Sequence, residues 1–112
     1  MKIAFTTKGT DWNSMMDARF GRTEYILVYD NESGEMTKYD NRSVSEVAHG
    51  AGPKTAQALF ELGADILITG NGPGGNAAVV LEKAGVEIYV GASEISVEEA
   101  FESYKSGYLK KI

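Results

Sequence analysis

Residues 64–75, ADILITGNGPGG, predict a buried strand followed directly by a glycine-rich turn. The strand, Asp65–Thr69, has an uninterrupted apolar centre, which is typical of a strand covered on both faces in a parallel sheet. After the turn, apolar residues recur at helical spacing over residues 77–84, and Gly85 stands at the expected helix end. A turn of this kind directs free backbone N–H groups towards whatever lies above it, so it is a candidate anion site.

The glycines of this turn also match the spacing of a dinucleotide-binding motif. Gly70, Gly72 and Gly75 fit G-x-G-x-x-G. In that motif, however, the glycines follow the first strand of a larger sheet, and the acidic residue that binds the ribose lies about 20 residues further on. Here the turn comes past mid-chain, and the next strand, Val86–Val90, ends at Gly91 without a carboxylate. The sequence therefore favours either a tight turn that needs glycine conformations or the close approach of a different ligand.

Composition limits the class of protein. The 112 residues predict one domain, 1–112, that can bury a core without crosslinks. Cysteine is absent, which excludes disulfides and thiolate metal sites. The net charge of −5 and the lack of basic runs argue against nucleic-acid binding, and no apolar stretch is long enough to span a membrane. The N-terminal MKIAFTT enters a strand without a signal-like segment, so we expect a cytoplasmic protein.

The predicted element order is βββαβαβα. Strands are expected at residues 2–7, 24–30, 35–41, 65–69 and 86–90. One helix begins at Pro53 and is expected to bury Ala56, Leu59, Phe60 and Leu62, and the last helix begins with a capping box, Ser96 and Glu99. These elements predict an α/β fold with a mixed five-stranded sheet, in which strand two is antiparallel, and with flanking helices. The tail, Tyr108–Ile112, is expected to be loose.

The strand directions gather the long loops. Segments 8–23, 42–52, 70–75 and 91–95 are all predicted at the carboxyl end of the parallel strands, where open α/β sheets bind ligands. Long connections in a compact domain are usually functional. This edge is therefore the predicted site.

The first of these loops contains two arginines. Arg19 and Arg22 can clamp an anion, or they can pair with Asp17 or Glu24 and fix the loop. In the same loop, Trp12, Met15 and Met16 can form a lid over a ligand or simply plug the loop against the sheet.

The second loop contains the only histidine. His49 precedes Gly50 and Gly52 at a helix entrance, which suits a ligand or anion contact as well as an ordinary surface residue. Two converging helix N-termini, one here and one after the glycine-rich turn, would offset a strongly negative ligand. The candidate binding residues of that turn are Asn71, Gly72, Gly74 and Gly75.

Three motifs together suggest a family. DARFGR at 17–22, HGAG at 49–52 and ITGNGPGGNAA at 68–78 resemble, in order and spacing, the dinitrogenase iron–molybdenum cofactor biosynthesis family. The resemblance implies a ribonuclease H-like fold with strand order 3-2-1-4-5. It also implies binding or carriage of the iron–molybdenum cofactor or its iron–sulfur precursor. By resemblance, His49 contacts the cluster metal, and Arg19, Arg22 and the glycines of both turns line the pocket.

The sequence thus predicts a non-catalytic carrier of an anionic ligand. Without cysteine, a cluster would rest on His49, arginine and backbone N–H groups, and a cluster donor or acceptor protein would be the partner. The alternative is a binding or regulatory module, or a small enzyme with His49 as acid or base, for a phosphorylated metabolite in the same pocket. A two-metal nuclease is disfavoured because the first strand, KIAFTT, lacks a carboxylate.

Overall fold

The computed structural model describes residues 1–112 as an α/β domain built on one mixed sheet. The strands are β1 (Lys2–Thr7), β2 (Tyr25–Asp30), β3 (Met36–Asp40), β4 (Ile66–Ile68), β5 (Glu87–Val90) and β6 (Lys110–Lys111). The helices are α1 (Arg42–Ser45), α2 (Ala51–Glu61), α3 (Gly75–Lys83) and α4 (Val97–Lys105). No helix is both long enough and apolar enough to cross a bilayer.

The sheet confirms the predicted mixed topology. Its strand order is β3-β2-β1-β4-β5-β6. β2 is antiparallel to both β1 and β3, whereas β4 is parallel to both β1 and β5. The first five strands therefore have the order 3-2-1-4-5, and β1, β3, β4 and β5 all end at the same edge, called here the carboxyl edge.

The prediction of a loose tail was wrong, because the tail adds a sixth strand. β6 runs antiparallel to β5, and the Ile112 N–H donates to the Ile88 carbonyl at 3.0 Å. Lys111 also pairs with Glu87 at 2.7 Å. A strand at the edge of a sheet has a row of unpaired backbone groups, and the tail satisfies part of that row on β5.

Alternate residues of the strands separate two cores. On one face, Ala4 and Leu67 pack beneath α2 and α3. On the other face, Phe5 and Ile68 pack beneath α4. Because successive side chains of a strand point to opposite faces, an uninterrupted apolar strand such as β4 serves both cores. This arrangement makes three layers, with α2 and α3 side by side on one face.

One predicted core residue is exposed. Phe60, expected on the inner side of α2, has 57% of its surface exposed, so that prediction was wrong. The buried residues of α2 are Ala51, Thr55, Ala56, Ala58 and Leu59. This narrow stripe of mostly small residues lets α2 lie close to α3, and Phe60 is left over the shallow groove between the helices, beside Val80 and Ala84.

Candidate functional site

Hydrogen bonds between loops assemble the carboxyl edge. The Asn71 N–H donates to the Ala18 carbonyl at 2.8 Å, and the Gly91 N–H donates to the Gly70 carbonyl at 2.9 Å. The first loop also contacts the start of α2, because the Thr55 hydroxyl donates to the Gly21 carbonyl at 2.9 Å. The four predicted segments are therefore in contact at one edge of the sheet.

Buried polar side chains support this edge from below. They are Thr6, Thr7, Asp17, Thr23, Asn41, Thr55 and Thr69, and each lies at the end of an edge-pointing strand, in the loop that follows, or in the first turns of α2. The Asn41 amide donates to the Thr23 carbonyl and to the Thr55 hydroxyl, both at 3.1 Å, while its own Oδ1 has no partner. The two donated hydrogen bonds connect the end of β3, the first loop and the first turns of α2, so Asn41 links three parts of the edge.

The first turns of α2 and α3 lie side by side at this edge. A Cβ placed on Gly52 would be 3.5 Å from the Ala77 Cβ. Neither helix has a side-chain hydrogen bond at its N-cap, which is Gly50 in α2 and Gly74 in α3. Gly50 has φ +77°, a conformation that favours glycine. Two uncapped N-termini together provide unpaired N–H groups and positive helix-dipole ends.

The two N-termini differ in how open they are. A Cβ would meet no atom within 4 Å at either N-cap, Gly50 or Gly74, so the difference lies in the first turns. In α3, Gly75 is exposed and also has free space around it, whereas in α2 Ala51 is buried and Pro53 has no N–H to offer. The start of α3 is therefore the more accessible of the two anion-binding positions.

Arg19 is paired within its own loop. Its guanidinium contacts both carboxylate oxygens of Asp17, at 3.0 and 2.9 Å, and its backbone N–H donates to the same carboxylate. Burial raises the pKa of Asp17, but the hydrogen bonds from the Arg19 side chain and backbone outweigh it, so the net pKa lies below its ordinary value. The Arg19 side chain remains 55% exposed, and its Nη1 is free of this pairing.

Arg22 makes a different set of contacts. Its Nη1 donates to the carbonyl oxygens of Ser45 at 2.8 Å and Val47 at 2.9 Å. These carbonyls belong to the loop that carries His49. The sequence left open whether the arginines clamp an anion or pair with a carboxylate of their own loop. Arg19 pairs with such a carboxylate, whereas Arg22 donates to backbone carbonyls of a second segment.

His49 lies exposed at the entrance to α2. It has no hydrogen-bond partner in the protein. No group of three or more histidine, aspartate or glutamate side chains is placed to hold a metal ion. The chain thus offers one accessible imidazole, next to the uncapped N-terminus of α2, as a metal contact.

The edge is open rather than enclosed. The three depressions on the surface are lined by Asp40, Arg42, Ser43 and Glu46, by Gln57, Phe60, Val80, Lys83 and Ala84, and by Trp12, Asn13 and Glu98. None contains Arg19, Arg22, His49 or the 70–75 turn. The predicted site residues therefore share an edge of the sheet but do not line a pocket.

Part of the first loop packs into the core beneath α4, on the face of the sheet opposite to α2 and α3. Met16 is buried, and the Trp12 ring packs against Tyr29 at 5.0 Å and Phe101 at 5.7 Å between ring centroids. Met15 is 45% exposed. Of the two sequence interpretations, a plug describes Trp12 and Met16.

Sequence reasoning missed a second aspartate–arginine pair. Asp40 and Arg42 repeat the contacts of Asp17 and Arg19, with a bidentate pair and a donating backbone N–H on the arginine. Hydrogen bonds from the Arg42 side chain and backbone lower the pKa of Asp40 to about 2. The shared spacing, D-x-R in both loops, was the signal that could have identified the second pair.

A family model described as "Dinitrogenase iron-molybdenum cofactor" matches residues 1–107. The chain belongs to this iron–molybdenum cofactor family. The match covers all of the loops at the carboxyl edge, so the resemblance seen in the three motifs is confirmed.

Solved structures agree with this family membership. The apo form of the orange protein from Desulfovibrio gigas is 30% identical, with a TM-score of 0.92, and the match covers 99% of this chain and 92% of that one. An NMR structure from Thermotoga, described provisionally as a NifB protein, is 37% identical, with a TM-score of 0.84 and coverage of 98% and 91%. No curated protein matches the chain. Family and neighbours indicate a cofactor-related binding or carrier role.

Proposed function

We propose that this family member is a non-catalytic binding or carrier protein for a preassembled anionic cofactor, an iron–sulfur or iron–molybdenum cluster or its precursor. The observation that supports this most strongly is the pair of uncapped helix N-termini, side by side at the carboxyl edge, with free space around Gly74. Unpaired N–H groups and helix dipoles at such positions bind anions.

The donor set suits a complete cluster better than a bare metal ion. A bare ion needs several protein ligands, and the chain has neither thiolates nor a group of three donor side chains. A cluster that brings its sulfides and its own anionic terminal ligands, such as small-molecule thiolates or carboxylates, already has most of its ligands and carries net negative charge. It needs charge compensation and at most one protein ligand, which N–H groups, Arg19 and the His49 imidazole would provide.

The open edge also suits a carrier. A cargo that is handed to another protein must remain reachable from solvent, and the site residues lie on the surface rather than in an enclosed pocket. A donor or acceptor protein can approach this edge without a lid having to move.

The test is cluster transfer under anaerobic conditions. Purified protein is incubated with ferrous iron, sulfide and a thiol reductant, desalted, and analysed for iron, sulfide and visible absorbance. We expect wild type to retain cluster, and we expect the iron and sulfide content of His49→Ala to be lower by at least about tenfold. Removing a residue that only supports a metal ligand already costs about tenfold or more in metal affinity, and removing the ligand itself should cost at least as much. Glu61→Ala, at the far end of α2, is the control and should retain cluster. Equal retention by His49→Ala and wild type would remove His49 as the metal contact.

A phosphorylated metabolite is the second candidate, because helix N-terminal N–H groups bind phosphate without any metal ligand. Thermal-shift measurements with nucleotides and phosphosugars test it. The two ligands differ in their need for metal, because the N–H groups would hold a phosphate in the absence of iron and sulfide. A rise in melting temperature with a phosphorylated compound, without iron and equal in wild type and His49→Ala, would favour the phosphate ligand.

A further inference from the structure

We propose that Arg22 is a positioning residue, which fixes the His49 segment, residues 43–50, against the first loop. This differs from the ligand contact that the family resemblance implies for Arg22. The inference rests on the proposed function only in taking the His49 segment as a ligand-contacting part of the edge.

The His49 segment has little else to hold it. None of residues 43–50 is buried. Both ends of the segment are anchored: the N–H groups of residues 44 and 45 donate to the carbonyl of the buried Asn41 at 3.0 Å, and the Gly50 carbonyl accepts from the Lys54 N–H of α2 at 3.1 Å. Between these ends, the Val47 N–H donates to the Val44 carbonyl at 3.1 Å, and no backbone hydrogen bond joins residues 46–49 to another part of the domain. A segment without buried residues and with few tertiary bonds opens easily.

Arg22 adds a side-chain connection from the first loop to this segment. Its Nη1 reaches two carbonyls, those of Ser45 and Val47, and it is the one side chain from another loop that hydrogen-bonds to residues 43–50. Nη1 has two N–H groups, so both are used by these carbonyls. A guanidinium presents its donors in a fixed plane, which holds the two carbonyls in one relative arrangement.

The residues around Arg22 hold the arginine itself in place. Phe20 is buried in the core beneath α2. A Cβ on Gly21 would be 2.7 Å from the Gly52 nitrogen, so the first loop lies directly against the start of α2. The Thr55 hydroxyl donates to the Gly21 carbonyl at 2.9 Å. The backbone next to Arg22 is therefore packed against the core and the start of α2, and the arginine connects the His49 segment to both.

Arg19 provides a matched control. It carries the same charge on the same loop, three residues earlier, but its guanidinium is held by Asp17 and makes no bond to residues 43–50. If charge alone mattered, replacing either arginine by alanine would have the same effect on the His49 segment. If positioning matters, only the replacement of Arg22 should loosen the segment.

The first experiment measures backbone order without any ligand. In 15N relaxation, we expect amides 46–49 of wild type and Arg19→Ala to have order parameters near those of rigid backbone, about 0.85, and those of Arg22→Ala to fall below about 0.6. Arg22→Lys keeps the charge but ends in one nitrogen on a shorter side chain, so it should loosen the segment as well. Equal order in wild type and Arg22→Ala, or equal loosening by Arg19→Ala, would overturn the proposal.

The second experiment asks whether Arg22 acts through His49. Cluster content after the same iron and sulfide reconstitution is compared for His49→Ala, Arg22→Ala and the double variant. We expect the double variant to be no worse than the worse single variant, because both changes disable one element. Arg19→Ala combined with His49→Ala should show two independent losses. Additive losses for Arg22 and His49 would overturn the positioning role.

The two experiments separate this inference from the proposed function. If wild type binds no cluster but Arg22→Ala still loosens amides 46–49, the carrier function fails and the positioning of the segment stands. If wild type binds cluster and amides 46–49 stay ordered in Arg22→Ala, the positioning role fails and the carrier function stands.

Discussion

Two helices begin at the carboxyl edge with almost the same backbone and opposite chemistry. The N-cap of α4, Ser96, has φ −75° and ψ 165°, and the N-cap of α3, Gly74, has φ −69° and ψ 172°. Ser96 accepts from the Glu99 N–H in a complete capping box, and the first turn of α4 also contains Glu98. The first turn of α3 has no acidic residue, and its N-cap has no side chain.

The two starts differ in their side chains rather than in their backbone geometry. In α4, the N-cap hydroxyl accepts a hydrogen bond from a first-turn N–H, and carboxylates offset the positive end of the helix dipole. In α3, the first-turn N–H groups and the positive end of the dipole have no such partner and face the solvent or a ligand. An uncapped helix is less stable than a capped one, so the start of α3 combines a small stability loss with an anion-binding position. Predictions that alter the two ends separately test this interpretation.

The largest expected effect is at the contact between the first loop and the start of α2. In Gly21→Ala, the new Cβ would lie 2.7 Å from the Gly52 nitrogen and 2.9 Å from its Cα, so backbone must move. We expect the free energy of unfolding in urea to fall by about 2–3 kcal/mol. Gly75→Ala, where a Cβ meets no atom within 4 Å, is the control and should not destabilise. Equal stability of both variants would contradict the close contact.

The next effect concerns the pair that fixes the first loop. Asp17→Asn should lower the free energy of unfolding at pH 7 by about 1.5 kcal/mol, because a charge-assisted bidentate bond to Arg19 is lost at a side chain only 1% exposed. Asp40→Asn removes the same contacts from a side chain that is 51% exposed and should cost much less.

Acid should remove this difference. The folded-state pKa of Asp17 is lowered, so its contribution is complete above the unfolded pKa of about 4 and is lost as the pH falls through the folded value. In urea titrations from pH 7 downward, the gap between wild type and Asp17→Asn should therefore narrow below about pH 4. A gap that stays constant into acid would show that the carboxylate charge does not contribute.

A smaller effect tests the capped helix directly. Ser96→Ala should lower the free energy of unfolding by about 1 kcal/mol, because the Glu99 N–H loses its acceptor and the capping box is broken. Ser43→Ala, at an exposed serine of α1, is the control and should change stability by less than about 0.5 kcal/mol. Cluster retention should be unaffected, since the proposed ligand lies at the starts of α2 and α3 and not at α4. Loss of cluster in Ser96→Ala would mean that all three helix starts form the site.

The sequence predicted the parts of this edge that depend on local rules. The capping box at Ser96, the buried strand β4 and the placement of the four loops follow from residue spacing and strand direction. Phe60 and the tail were misjudged, because the exposure of Phe60 depends on how closely α2 approaches α3, and β6 forms only where the edge of β5 is available. The carbonyls that Arg22 contacts could not be predicted either, because backbone acceptors leave no pattern in a sequence.

The smallest stability effect carries the most functional information. Gly74→Asp gives α3 the side-chain cap that α4 already has, on a backbone that accepts it and in free space. We expect the free energy of unfolding to rise by a few tenths, about 0.3 kcal/mol, as the carboxylate accepts from the first-turn N–H groups. The same carboxylate would occupy the position proposed for the anionic ligand.

The iron and sulfide content of wild type, Gly74→Asp and Gly74→Asn after anaerobic reconstitution would show whether the start of α3 binds the ligand, with the free energy of unfolding measured on the same samples. We expect Gly74→Asp to lose cluster while becoming no less stable, and Gly74→Asn, a neutral cap, to lose less. Full cluster retention by a stably folded Gly74→Asp would contradict the claim that the open N-terminus of α3 binds the ligand.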